Sequence, residues 1–99
     1  MFKNEIRILG FDDCPFRRND KNVSVIGVIY RGGVFLDVVM KLDVKVDGLD
    51  ATGRIAKFIN YSRQKPQLKV IMFDGIAVGG FNIIDIQKLY KKTGLPVLV

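Results

Sequence analysis

The sequence contains no histidine and no tryptophan, and a single cysteine among its 99 residues. Without histidine there is no Ser-His-Asp or Cys-His catalysis, no His-containing zinc site and no imidazole acid–base chemistry near neutral pH. An enzyme built from this chain is left with carboxylates, lysines, backbone amides and a hard metal ion. Cys14 alone cannot close an internal disulfide, which suits a reducing interior. With no base to activate it, it reads as a small filler rather than a nucleophile. No apolar run approaches the ~18 to 20 residues needed to span a membrane. The N-terminal "MFKNEIR" carries charges where the apolar core of a signal peptide would begin. The pattern G-x-x-x-x-G-K-[ST] is missing as well, so P-loop nucleotide hydrolysis is not supported. The chain is therefore read as one soluble, cytoplasmic domain over residues 1–99, with no membrane partner.

What is present is a substantial apolar fraction, 48% of residues, and a formal net charge of +6. The first is enough to bury a core and too much for a disordered segment. The second draws polyanions such as nucleic acid through long-range fields.

Hydrophobic periodicity divides the chain into alternating elements. Glu5 to Phe11 reads as a short buried strand, and the polar Pro15 to Asn22 as a loop. Val23 to Tyr30 and Val34 to Leu42 flank Gly32-Gly33, a hairpin signal that pairs them antiparallel. Ile55, Phe58, Ile59 and Ser62 recur at helical spacing, with Asp50 in the N-cap position and an end near Arg63, ahead of Pro66. Leu68 to Phe73 is a buried strand stopped by Asp74-Gly75. Ile83, Ile86, Leu89 and Tyr90 place a second helix over about Phe81 to Lys92, closed by Gly94. "LPVLV" starts a last strand. The order β-β-β-α-β-α-β predicts an α/β layered domain with a mixed sheet.

Two of these strands end in acids, the first at Asp12-Asp13 and the fourth at Asp74. In an open α/β sheet, ligands bind at the carboxyl ends of neighbouring parallel strands. If the first and fourth strands are such neighbours, Asp12 and Asp74 approach one another there. Carboxylates gathered at one point need a cation, and oxygen-rich sites suit Mg²⁺ or Mn²⁺. Asp50 and Asp13 are further candidate ligands. Each acid also has a plainer reading: Asp74-Gly75 and Asp47-Gly48 as turns, Asp50 as an N-cap, one of the Asp12-Asp13 pair as a loop former. Arg17, Arg18 and Lys21 lie on the loop after the acid pair, as phosphate contacts or as a solvated surface. Gly79-Gly80 can present backbone amides to an anion.

Four stretches in combination, "LGFDDCPF", "VDGLDATGRI", "MFDGIAVGGFNIIDI" and "TGLPVLV", resemble the archaeal domain-of-unknown-function family 99 over essentially the whole chain. That family is similar, more remotely, to endonuclease V, a ribonuclease H-like nuclease. The resemblance implies a five-stranded mixed sheet with an antiparallel second strand, flanked by helices. It places metal-binding, catalytic acids at Asp12 within "GFD" and at Asp74 within "FDG", with Asp50 standing for an intermediate glutamate. Two features of endonuclease V have no counterpart: its His-Pro-Arg group, where "AVGGFN" stands here, and its Pro-Tyr-Ile-Pro wedge. Members of the resembling family are longer, about two domain-halves, which implies that the chain is the front part of such a protein.

Two functional readings follow. One is a Mg²⁺- or Mn²⁺-dependent nuclease-like domain acting on nucleic-acid phosphodiesters. The other is a catalytically inactive nucleic-acid-binding or assembly module on the same fold, which the departures from endonuclease V favour. A homodimer through the edge near Leu98 and Val99 is a further expectation.

Overall fold

A computed structural model describes residues 6–17, 19–32 and 35–99. The expected strand start at Glu5, the turn residue Gly33, Val34 and the candidate phosphate contact Arg18 lie outside the described residues.

The elements are β1 (Arg7–Asp13), β2 (Asn22–Arg31), β3 (Phe35–Lys45), α1 (Ala51–Asn60), β4 (Leu68–Phe73), β5 (Ala77–Val78), β6 (Asn82–Ile83), α2 (Ile86–Thr93) and β7 (Val97–Leu98), with a short 3₁₀ turn over Lys65–Gln67. Five strands form one sheet in the order β3-β2-β1-β4-β7. The pairs β1–β2 and β2–β3 are antiparallel, whereas β1–β4 and β4–β7 are parallel. The expected mixed five-stranded α/β sheet is therefore present, with its second strand antiparallel.

Several boundaries differ from expectation, each for a local reason. β1 runs two residues past its apolar stretch because its ladder with β2 continues to Asp13 opposite Val25. β3 likewise continues to Lys45, paired with Asn22 at the start of β2. α1 stops at Asn60, so Ser62 falls beyond it. α2 begins at Ile86 rather than near Phe81, because Asn82–Ile83 pair with Ala77–Val78 in a two-stranded hairpin. Asp85 is its N-cap, accepting from the Lys88 N–H at 3.0 Å. Gly94 ends it in the left-handed region, φ 76°, where a side chain would be strained.

Both helices lie on one face of the sheet. Strand alternation sends Leu9 and Phe11 of β1, Val25 and Ile29 of β2, and Ile71 and Phe73 of β4 into that side, where they are buried. Ile55, Ala56 and Ile59 of α1 and Leu89 of α2 complete the core. Thr52 Oγ1 accepts from the Asp85 N–H at 2.9 Å and ties the start of α1 to the cap of α2. Among the described residues no helix is long and apolar enough to cross a membrane.

Since Ile55 is fully buried between helix and sheet, Ile55→Ala should lower stability by about 2–5 kcal/mol. Leu49→Ala, at a side chain 94% exposed, should shift it by less than about 0.5 kcal/mol. Urea unfolding followed by circular dichroism measures both.

Candidate functional site

The acid end of the sheet is set by the register of its two central strands. β1 and β4 run parallel with Phe11 level with Phe73, so the residues that follow, Asp12 and Asp74, emerge side by side. On the helix-bearing face the Phe11 and Phe73 rings stack, with centroids 5.4 Å apart and an interplanar angle of 18°. On the opposite face Asp12 and Asp74 line one shallow groove of about 420 Å³ with Gly10, Ile26, Tyr30 and Met72. Both acids are exposed. Asp12 Oδ1 accepts from the Asp13 N–H at 2.9 Å, which fixes one carboxylate oxygen.

Asp13 points the other way. As the next residue of an extended strand it shares the side of Leu9 and Phe11. There its Oδ2 accepts from the Gly79 N–H at 2.7 Å. The glycine-rich segment between β5 and β6 is held a second time by Asp47, whose Oδ1 accepts from the Phe81 N–H at 2.8 Å. Asp47 itself has φ 53°, and its N–H donates to the Gly79 carbonyl at 2.9 Å. Gly80 sits at φ 85° so close to Asp47 that a Cβ would overlap the carboxylate. The amides of this loop do meet anions, but the anions are the chain's own aspartates.

Asp50 occupies the N-cap position of α1 without capping it. Its Oδ1 accepts instead from the Lys45 N–H at 3.2 Å and from Asn82 Nδ2 at 2.7 Å. The cap bond comes from Asn82, whose Oδ1 accepts from the N–H of Ala51, 31 residues earlier, at 3.0 Å. Asn82 Nδ2 also donates to the Lys45 carbonyl at 2.8 Å, so this fully buried amide joins β3, α1 and β6. Burial raises the pKa of Asp50, but the Asn82 and Lys45 hydrogen bonds, with Arg54 Nε 3.8 Å away, outweigh it and hold the carboxyl below its ordinary value.

The structure thus brings Asp12 and Asp74 together and sends Asp13 and Asp50 to the same end of the sheet on its helix-bearing side. Among the described residues, no three His, Cys, Asp or Glu side chains gather closely enough to hold a metal. The expected third carboxylate from Asp50 is absent because that side chain is spent on the junction of β3 with α1. Arg17 and Lys21 are exposed on the loop leaving β1, beyond the acids. A turn shapes that loop, with the Arg17 N–H donating to Asp20 Oδ2 at 2.8 Å. Sequence reasoning passed over Asn82, and it read Asp47 as the turn residue it is without its hold on the Phe81 N–H. A lone amide inside the apolar run "FNIID" was the available signal for Asn82.

Comparison with known proteins places this geometry in a family. The model of the family described as endonuclease dU matches residues 4–99. The chain belongs to the endonuclease dU family. A UPF0215 protein of Methanopyrus kandleri is 52% identical over 96 residues, covering 97% of this chain and 49% of that protein. A UPF0215 protein of Methanothermobacter thermautotrophicus is 53% identical over 98 residues, covering 98% and 48%. The chain therefore spans about half the length of these relatives. A solved protein of unknown function from Archaeoglobus fulgidus superposes with a TM-score of 0.84 at 35% identity, over 94% of this chain and 52% of that one. Ciona intestinalis endonuclease V, solved with a 24mer DNA containing an inosine followed by a ribo-adenosine, superposes with a TM-score of 0.63 at 14% identity, over 93% and 44%. At that identity the likeness is one of fold, the ribonuclease H-like mixed sheet. The resemblance drawn from the sequence motifs, to an archaeal family remotely similar to endonuclease V, is borne out.

Two outcomes test the roles given to Asn82 and Asp50 in this endonuclease dU family chain. Asn82→Ala should cost about 1–3 kcal/mol in urea unfolding, since it strands the Ala51 N–H in the interior. A folded-state pKa below the ordinary carboxylate value means that Asp50 contributes stability in full above that value and loses it as pH falls through the lower one. Asp50→Asn keeps the acceptor oxygen and removes the charge. The stability gap between wild type and this variant should be widest near about pH 6 and close towards about pH 2. Urea midpoints across that range measure it.

Proposed function

We propose that this domain carries the metal-binding acids of a nuclease acting on nucleic-acid phosphodiesters, with Asp12 and Asp74 as ligands of Mg²⁺ or Mn²⁺. The observation that carries this reading is their level placement at the carboxyl ends of two adjacent parallel strands, in one exposed groove. The donor set fits such an ion: hard anionic oxygens, open to water, with no nitrogen or sulfur donor required. Mg²⁺ is bound by one or two carboxylates and otherwise by water and substrate phosphates, so two protein ligands suffice. The chemistry available from such an ion is Lewis-acid polarisation of a phosphoryl oxygen and activation of water.

The chain's own residues supply the rest. Asp12 and Asp74 fix where a scissile phosphate sits relative to the sheet. The Asp13 N–H holds one Asp12 oxygen and restricts the rotation of that carboxylate. Arg17 and Lys21, on the loop that leaves β1, give positive charge at the same end of the sheet as the acids. Together with the net charge of +6 they favour a phosphate backbone over a neutral ligand. The family's description as endonuclease dU and the inosine-containing DNA of the endonuclease V neighbour make deaminated bases the first substrates to try.

A second reading, a binding or assembly module without catalysis, is favoured by one observation: among the described residues only two acids converge. The two readings part in a metal titration. Calorimetry should show Mn²⁺ binding to the wild-type chain that Asp12→Ala and Asp74→Ala abolish and Asp13→Asn leaves in place. Cleavage of deoxyuridine- or inosine-containing DNA and RNA should fall on the order of 100-fold or more in the first two variants, the equivalent of several kcal/mol of transition-state stabilisation. Salt-sensitive nucleic-acid binding with no metal requirement would establish the second reading instead.

A further inference from the structure

The sheet has two faces, and among the described residues the helices cover only one of them. The other carries a contiguous apolar patch between polar margins. Val28, Tyr30 and Met72 stand at its centre, Val39 and Leu36 towards the β3 edge, and Leu98 at the β7 edge. Five of these six are 41–59% exposed. An antiparallel sheet that faces water alternates apolar with polar residues. Here the outward pairs Ser24–Asp43 and Ile26–Lys41 follow that rule in part, but Val28 opposite Val39 and Tyr30 opposite Leu36 are apolar on both strands. The patch continues across the parallel strands β1, β4 and β7, where Met72 lies level with Gly10 on one side and Leu98 on the other. A patch of this kind marks an interaction surface.

We infer that this face docks a polypeptide carrying amphipathic helices, equivalent to the half of the UPF0215 relatives that this chain does not match. Length points to that occupant. The two archaeal relatives are covered over 48% and 49% of their length and the Archaeoglobus fulgidus structure over 52%, so each carries a further portion of about this chain's own size. A portion that large can supply helices long enough to span the strands. The groove holding Asp12 and Asp74 opens on the same face, so the docked portion forms one of its walls. The inference stands on burial and topology and is independent of any metal at the acids.

The test adds the unmatched half of the Methanothermobacter thermautotrophicus protein, as a separate polypeptide, to this 99-residue chain. Methyl NMR follows Ile26, Val28 and Met72, and ultracentrifugation follows mass. A one-to-one complex that shifts these methyls, and that Met72→Gln weakens about tenfold or more while Tyr61→Ala on α1 does not, is the expected result. A second measurement covers the case in which the separate half does not fold. Met72→Gln should leave the melting temperature of this chain unchanged, because the side chain is exposed, whereas the matching substitution in the full-length relative should lower it. Methyls already protected in a dimer of this chain alone would assign the face to a second copy and overturn the inference. Equal, negligible effects of the substitution in both proteins would overturn it as well.

Discussion

Everything at the acid end depends on the parallel pairing of β1 with β4. A shift of one residue in that register would turn Asp74 towards the helices and separate it from Asp12. The stack of Phe11 on Phe73 opposes such a slip, because the rings meet only when the two positions are level. Burial of both aromatic side chains on one face is therefore coupled to the placement of two carboxylates on the other. The hydrophobic core and the candidate site are two consequences of one alignment.

Around that alignment the other aspartates have scaffolding work. Asp13 and Asp47 hold the glycine-rich segment after β4 by its N–H groups. Asp50 and Asn82 fasten the end of β3 to the start of α1. Adjacent acids in the sequence thus separate by orientation: Asp12 faces the open groove and Asp13 braces the loop. The net positive charge offsets the local accumulation of carboxylates, and the charge of Asp50 is stabilised by its hydrogen bonds and Arg54.

Much of this was legible in the residues themselves. Leu68 to Phe73 was readable to the residue because Pro66 and Asp74-Gly75 bracket a short apolar run. The β2–β3 hairpin was legible from its β-branched runs, and α1 from its helical spacing. That Asp12 and Asp74 lie at one groove followed from strand-end logic and from the motif resemblance. What escaped were contacts between distant positions. Nothing near Asp50 tells that Asn82 will cap its helix in its place, and the helical spacing of Ile83 and Ile86 hid a two-residue strand. Period-two alternation from Leu9 and Phe11 does assign Asp13 to the inner face, but only once β1 is known to continue that far. That continuation is set by β2, not by β1's own composition.

The central claim is that Asp12 and Asp74, and not Asp13 or Asp50, form the cation site of this domain. Anomalous diffraction from crystals of the chain soaked in Mn²⁺ tests it most directly. The account predicts a manganese peak within coordination distance of the Asp12 and Asp74 carboxylates, about 2.0–2.3 Å. A peak on Asp13 or Asp50, or none in the groove at saturating Mn²⁺, would contradict it.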